Sequence, residues 1–132
     1  MTVDTTIVND PDTLAEVTAM FRRYEQALMA NDTAALTAMF WASPHTLRYG
    51  VGEILYGHAE IAAFRANRAG GAPRRVLGKT SITTFGRDFG VANTEFQRAN
   101  TDRLGRQSQT WVRFPEGWRI VSAHVSLLGE TS

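Results

Sequence analysis

A chain of 132 residues makes one domain, long enough to bury roughly two thirds of the surface its unfolded form exposes. With 43 % hydrophobic and 20 % charged residues and a net charge of +1, its scattered basic side chains argue against nucleic acid or a membrane surface as partner. No Cys is present, which removes disulfides, zinc–thiolate sites and thiol nucleophiles together.

The opening stretch MTVDTTIVND has neither a basic start nor an apolar run, so no signal peptide is expected. No segment reaches membrane-spanning length, and the expected location is the cytoplasm. Residues 1–132 read as a single domain without repeat, low-complexity segment or linker. Asp10-Pro11 opens a helix, a carboxylate N-cap followed by Pro at the first helical position. Leu14, Val17, Phe21, Tyr24 and Leu28 then follow as one buried stripe to about Ala30. Asn31-Asp32 breaks that helix, and Asp32 caps a short second one, TAALTAMF. TLRYG and EILYG read as a hairpin turning at Val51-Gly52, and GHAEIAAFRANR as a third helix with Ile61, Phe64, Arg65 and Arg68 along one side. Four long strands follow in meander: RVLGKTSITTFG, FGVANTEFQRAN, GRQSQTWVRF and WRIVSAHVSLL. The order ααββαββββ predicts an α+β fold with the helices on one side of a strongly bent antiparallel sheet.

The strand GRQSQTWVRF has no plainly apolar face: Gln107, Gln109, Trp111 and Arg113 alternate with Arg106, Ser108, Thr110 and Val112. The turn at Pro115–Gly117 predicts Gln109 opposite Ala123, Trp111 opposite Val121 and Gln107 opposite Val125, and opposed residues share a face. Val121, Ala123, Val125 and Leu127 are the more apolar set, so they and the two glutamines are expected to face the helices. The same reasoning through the Thr101–Leu104 turn sets Glu95 near Gln109 and Asn93 near Trp111. An inward cluster of Asn93, Glu95, Gln109 and Trp111 implies a pocket, because buried polar groups without partners cost several kcal/mol, roughly 2–7. The outward face then carries Trp118, Ile120, His124 and Ser126, a patch that suggests a homodimer through the outer sheet face.

The phrases FRRYE (21–25), LRYG (47–50), FRANR (64–68), GRQSQTW (105–111) and GWRIVSAHVS (117–126) resemble the AtzH-like group, which includes the HpxZ-like proteins of oxalurate catabolism. That group lies within the cone-shaped nuclear transport factor 2-like superfamily, also called SnoaL-like or cystatin-like. The resemblance spans about residues 10 to 128. It implies an amidohydrolase acting on a small anionic ureide of the 1,3-dicarboxyurea kind, with a Tyr of the first helix and an Arg of the first strand carrying the activity. Tyr24 and Arg48 match those positions.

Read as residues alone, Tyr24 is either a core phenol bonded to a carbonyl or a proton donor at a pocket floor. Arg48 is either an ion-paired strand residue or a planar clamp for a carboxylate. Strand alternation sets Leu47 and Tyr49 opposite to Arg48, so if those two face the core, Arg48 reaches the pocket only by a bend or from the cone's mouth. Arg65 is a second candidate carboxylate ligand or a solvated helix residue, and Glu95 a general base or an ion-pair partner. Gln109 and Asn93 are expected to hydrogen-bond a urea core beside a wall formed by Trp111. His45, His58 and His124 lack metal-ligand spacing, so no metal and no cofactor are expected. The rival readings are a non-catalytic ligand-binding or assembly module, and a cofactor-free dehydratase or isomerase of the SnoaL-like type.

Overall fold

In the computed structural model, which describes residues 3–129, the Asp10 carboxylate caps the first helix, α1 (Pro11–Met29). It accepts from the Thr13 backbone N–H at 3.2 Å and from the Thr13 hydroxyl at 2.9 Å, and these bonds hold its pKa below the usual value. Val17, Phe21, Tyr24 and Leu28 are buried along α1; Thr13 and Ala27 complete the stripe, and Leu14 is only half-buried. Asp32 caps α2 (Thr33–Met39) in the same way, through the Ala35 N–H. The hairpin β1 (Leu47–Tyr49) and β2 (Ile54–Tyr56) leads into α3 (His58–Asn67). The long strands are β3 (Arg75–Phe85), β4 (Phe89–Arg98), β5 (Leu104–Phe114) and β6 (Gly117–Leu127). The element order is the expected one. Among the described residues, no helix is long and apolar enough to cross a membrane.

The six strands form one sheet in the order β2-β1-β6-β5-β4-β3, with the helices on one face. Every neighbouring pair is antiparallel except β1 and β6, which run parallel, so the sheet is mixed rather than wholly antiparallel. This pairing brings Arg48 beside Ala123 on the helix-facing side. Arg48 is 4 % exposed, while Leu47 and Tyr49 on the other face are half-buried. No bend is needed: the first strand delivers its guanidinium inward directly.

Two bulges reset the register. Gln107 pairs with Val125 and Gln109 with Ala123, as the turn predicts, but Trp111 pairs with Ile120. Val121 is the extra residue, and beyond it the alternation of β6 inverts. Trp118 and Ile120 therefore join the core, and Val121 is only half-buried. The Trp118 indole donates to Glu16 of α1 at 2.9 Å. The expected outer patch thus loses two of its four residues. What remains outside is Ser126 and His124, and the latter meets Tyr49 edge-on, with Tyr49 in turn against Tyr56.

The second correction concerns β4. Ala92 pairs with Gln109 and Gly90 with Trp111, whereas Asn93 pairs with Ser108 and Glu95 with Arg106. Asn93 and Glu95 therefore lie on the outer face, the register being three residues from the expected one, and Asn93 accepts from the Ser108 hydroxyl at 2.6 Å. A slip by any odd number of positions exchanges faces, and the turn before β5 is looser than a simple hairpin count allows.

Gly105, the first residue of GRQSQTW, has a packing role. A Cβ there would lie 2.2 Å from the Phe96 ring across the strand pair, so the ring lies directly over the glycine. Gly105→Ala is expected to cost about 1–3 kcal/mol by overpacking. The check is a urea unfolding midpoint that falls with an unchanged slope.

Candidate active site

Five arginines gather where the C-terminal half of α1, the end of α3 and the inner faces of β1, β3 and β4 converge. Arg65 is 4 % exposed and donates to the Tyr24 hydroxyl at 2.6 Å, within the core. Beside this pair lies a narrow cavity whose polar wall is Tyr24, Arg48, Arg68, Arg75, Arg98 and Gln107. Its volume is about 10 Å³, on the order of a single water molecule.

Two phenylalanine rings hold the guanidinium groups apart. Arg48, Arg65 and Arg68 lie 5.4, 5.8 and 5.3 Å from the centre of Phe64, and Arg75 and Arg98 lie 4.5 and 5.7 Å from that of Phe96. Cation–π attraction offsets part of the like-charge repulsion and leaves guanidinium edges available for hydrogen bonds. Gly105 belongs to this arrangement, because it makes the space in which the Phe96 ring sits.

Among the described residues, only two carboxylates pair with the five arginines. Glu25 takes Arg75 through both its oxygens, and Arg75 also donates to Gln107 at 3.0 Å. Glu53 takes Arg48 at 2.7 Å. Burial pushes the pKa of Arg65, Arg68 and Arg98 below the usual arginine value, and the Arg48 charge adds to that effect on each. Arginine keeps its proton in proteins, so the downward direction reports charges that are poorly solvated and, secondarily, crowded by like charge, rather than neutral groups. An anion would relieve that crowding.

Two polar atoms say where such an anion would be bound. Arg48 Nε and Gln107 Nε2 are buried N–H donors with no partner among the described residues. Leaving such donors unsatisfied costs about 1–3 kcal/mol each, and more for a charged group. Both belong to residues that line the cavity.

Of the residues singled out from the sequence, Tyr24, Arg48 and Arg65 come together here. Gln109 and Trp111 do face inward, but into the core: they are 1 % and 0 % exposed, and the indole donates to the Gln109 carbonyl at 3.2 Å. That bond satisfies the inward polar pair without a pocket. Asn93 and Glu95, on the outer face, do not line the cavity. Gln107 takes the place expected for Gln109. Arg75 escaped sequence reasoning because of the bulge between Leu77 and Thr80, and Arg98 because the expected phase of β4 turned it outward. A straight register from the Gly86–Asp88 turn sets Val76 opposite Arg98, whereas the bulge sets Arg75 there and makes a like-charged pair.

The bent mixed sheet with three helices on its concave side is the cone of the nuclear transport factor 2-like, or cystatin-like, fold. A nuclear transport factor 2-like superfamily protein from Salmonella enterica shares it at 26 % identity and a TM-score of 0.72, over 92 % of this chain and 94 % of that one. Residues 6–131 match the AtzH-like family, and the chain belongs to it. A protein of unknown function of the DUF3225 family from Pectobacterium atrosepticum is 53 % identical over 97 % of this chain and 100 % of its own, with a TM-score of 0.92. A cystatin-like fold protein from Burkholderia xenovorans is 47 % identical over 95 % and 98 %, with a TM-score of 0.90. No curated protein matches the chain.

Proposed function

We propose that this chain is a cytoplasmic, cofactor-independent amidohydrolase that cleaves a C–N bond of a small carboxylated urea of the 1,3-dicarboxyurea kind. The observation that carries this reading is the pair of unpartnered buried donors, Arg48 Nε and Gln107 Nε2, on a cavity with excess positive charge. A substrate carboxylate takes the Arg48 edge, and the Gln107 amide donates to the urea carbonyl. The Tyr24 hydroxyl accepts from Arg65, which leaves its own proton free to be donated. Water adds to the carbonyl carbon, the C–N bond breaks, and the departing nitrogen takes a proton from Tyr24. The proton released by the attacking water restores the phenol. Arg65 holds the phenol in place and stabilises negative charge on its oxygen during the transfer.

A non-catalytic anion-binding module is the second reading. Its support is that both carboxylates near the cavity, Glu25 and Glu53, are tied to arginines, so neither is free to activate water. A histidine-dependent dehydratase or isomerase has less support, since no histidine lines the cavity; His58 is bonded to the Thr37 carbonyl at 3.0 Å. Incubation of the protein with 1,3-dicarboxyurea separates the readings. Loss of the ureide with enzyme-dependent product formation is the expected result. Saturable binding without turnover selects the module, and neither binding nor turnover removes the anion site.

A further inference from the structure

Glu53 stands apart from Glu25 in how it is held. Glu25 makes three hydrogen bonds to Arg75, from two different guanidinium nitrogens. Glu53 makes a single contact with Arg48, through Nη1, and its side chain is 25 % exposed against 5 % for Arg48. Its other oxygen accepts only from the Gly52 N–H of the hairpin turn, at 3.2 Å. That turn joins two three-residue strands, and β2 is a sheet edge, so few backbone bonds fix it. Glu53 also opposes the positive potential at Arg65, Arg68 and Arg98. Gly50 makes room for it: a Cβ at that position would lie 1.8 Å from Glu53 Oε1.

A cavity of about 10 Å³ cannot hold a ureide. Glu53 does not itself line that cavity, but its carboxylate is held by Arg48, which does, so a carboxylate entering there competes with it for the same guanidinium. Resting on the proposed anion site, we propose that Glu53 is a specificity-determining residue whose carboxylate occupies the Arg48 subsite in the free protein and is displaced by a substrate carboxylate. A ligand with one carboxylate gains little beyond replacing Glu53. A ligand with two gains a further contact in the arginine cluster, so the resident carboxylate selects dianions over monoanions.

The test is calorimetric titration of malonate and acetate, as stable dianion and monoanion, into the wild-type protein, Glu53→Gln and Glu53→Asp. If Glu53 fills the subsite about nine tenths of the time, its removal raises apparent affinity roughly tenfold. Glu53→Gln should bind malonate about tenfold more tightly and should gain measurable affinity for acetate. Glu53→Asp keeps the negative charge but is one methylene shorter, so it gives up the 2.7 Å contact with Arg48 Nη1 and should shift affinity in the same direction. That result separates displacement from a mere loss of negative charge. Malonate bound by the wild type but equally well or more weakly by both variants overturns the displacement and leaves the anion site standing. A gain confined to Glu53→Gln also overturns it, in favour of simple electrostatic repulsion. Binding by none of the three folded proteins, with unchanged melting curves, overturns both the displacement and the anion site.

Discussion

Tyr24→Phe is expected to lower turnover of a carboxylated urea by about a hundredfold or more, the contribution of a positioned proton donor. The ring stays in the core, packed edge-on against Phe40 with centroids 6.2 Å apart, so the fold survives. It does not survive unharmed. The lost hydroxyl is the hydrogen-bond partner of Arg65 Nη2, and Arg65 is 4 % exposed. Removing one partner of a hydrogen bond to a charged group costs about 1.5–3 kcal/mol. For a domain of this size that lowers the melting temperature by very roughly 5–15 °C. Turnover measured well below the shifted melting point tells the two effects apart. A folded Tyr24→Phe protein with full activity would remove the phenol from the mechanism and leave Arg65 as an anion ligand only.

The parts of the fold set by short-range chemistry were legible in the sequence. Asp10-Pro11 and Asp32 open helices because capping is local, and Val17, Phe21, Tyr24 and Leu28 fall on one face because helical spacing is regular. Tyr24, Arg48 and Arg65 were reachable through FRRYE, LRYG and FRANR, whose likeness to the AtzH-like group the family match bears out. The failures lie where a single residue changes phase. Val121 inverts one end of β6, and Gly78-Lys79 shifts the start of β3. No propensity of Val121 marks it as a bulge, and Gly78 reads equally well as a plain glycine in a strand. From those two irregularities follow the misplaced Trp118 and Ile120 and the unseen Arg75, while Arg98 was missed with the phase of β4.

The polar strand that raised the question of a pocket has two answers rather than one. Gln109 belongs to the core, where it serves Trp111. Gln107, two residues earlier on the same face, belongs to the cavity, where its amide nitrogen lacks a partner among the described residues. Gly105, two residues earlier again, lets Phe96 support Arg75 and Arg98. Along one face of β5 the chain therefore passes from arginine support to ligand donor to core bond.

Arg48→Lys is expected to weaken binding of a dicarboxylate by roughly ten- to a hundredfold, with a smaller effect on folding. The ammonium keeps the charge, and with it the long-range attraction and some pairing with Glu53. It loses three features that only the planar guanidinium supplies. One is the stacking on Phe64 at 5.4 Å. Another is the Nε–H that has no partner among the described residues. The third is the forked edge that grips both oxygens of a carboxylate. A hydrogen bond to a charged group is worth about 1.5–3 kcal/mol, and each 1.4 kcal/mol is tenfold in affinity. Calorimetric titration of malonate beside a melting curve reads both quantities from one preparation. Affinity unchanged in the lysine variant would mean that Arg48 acts as a charge alone, and the carboxylate subsite would then belong to Arg68 and Arg98 across the cavity.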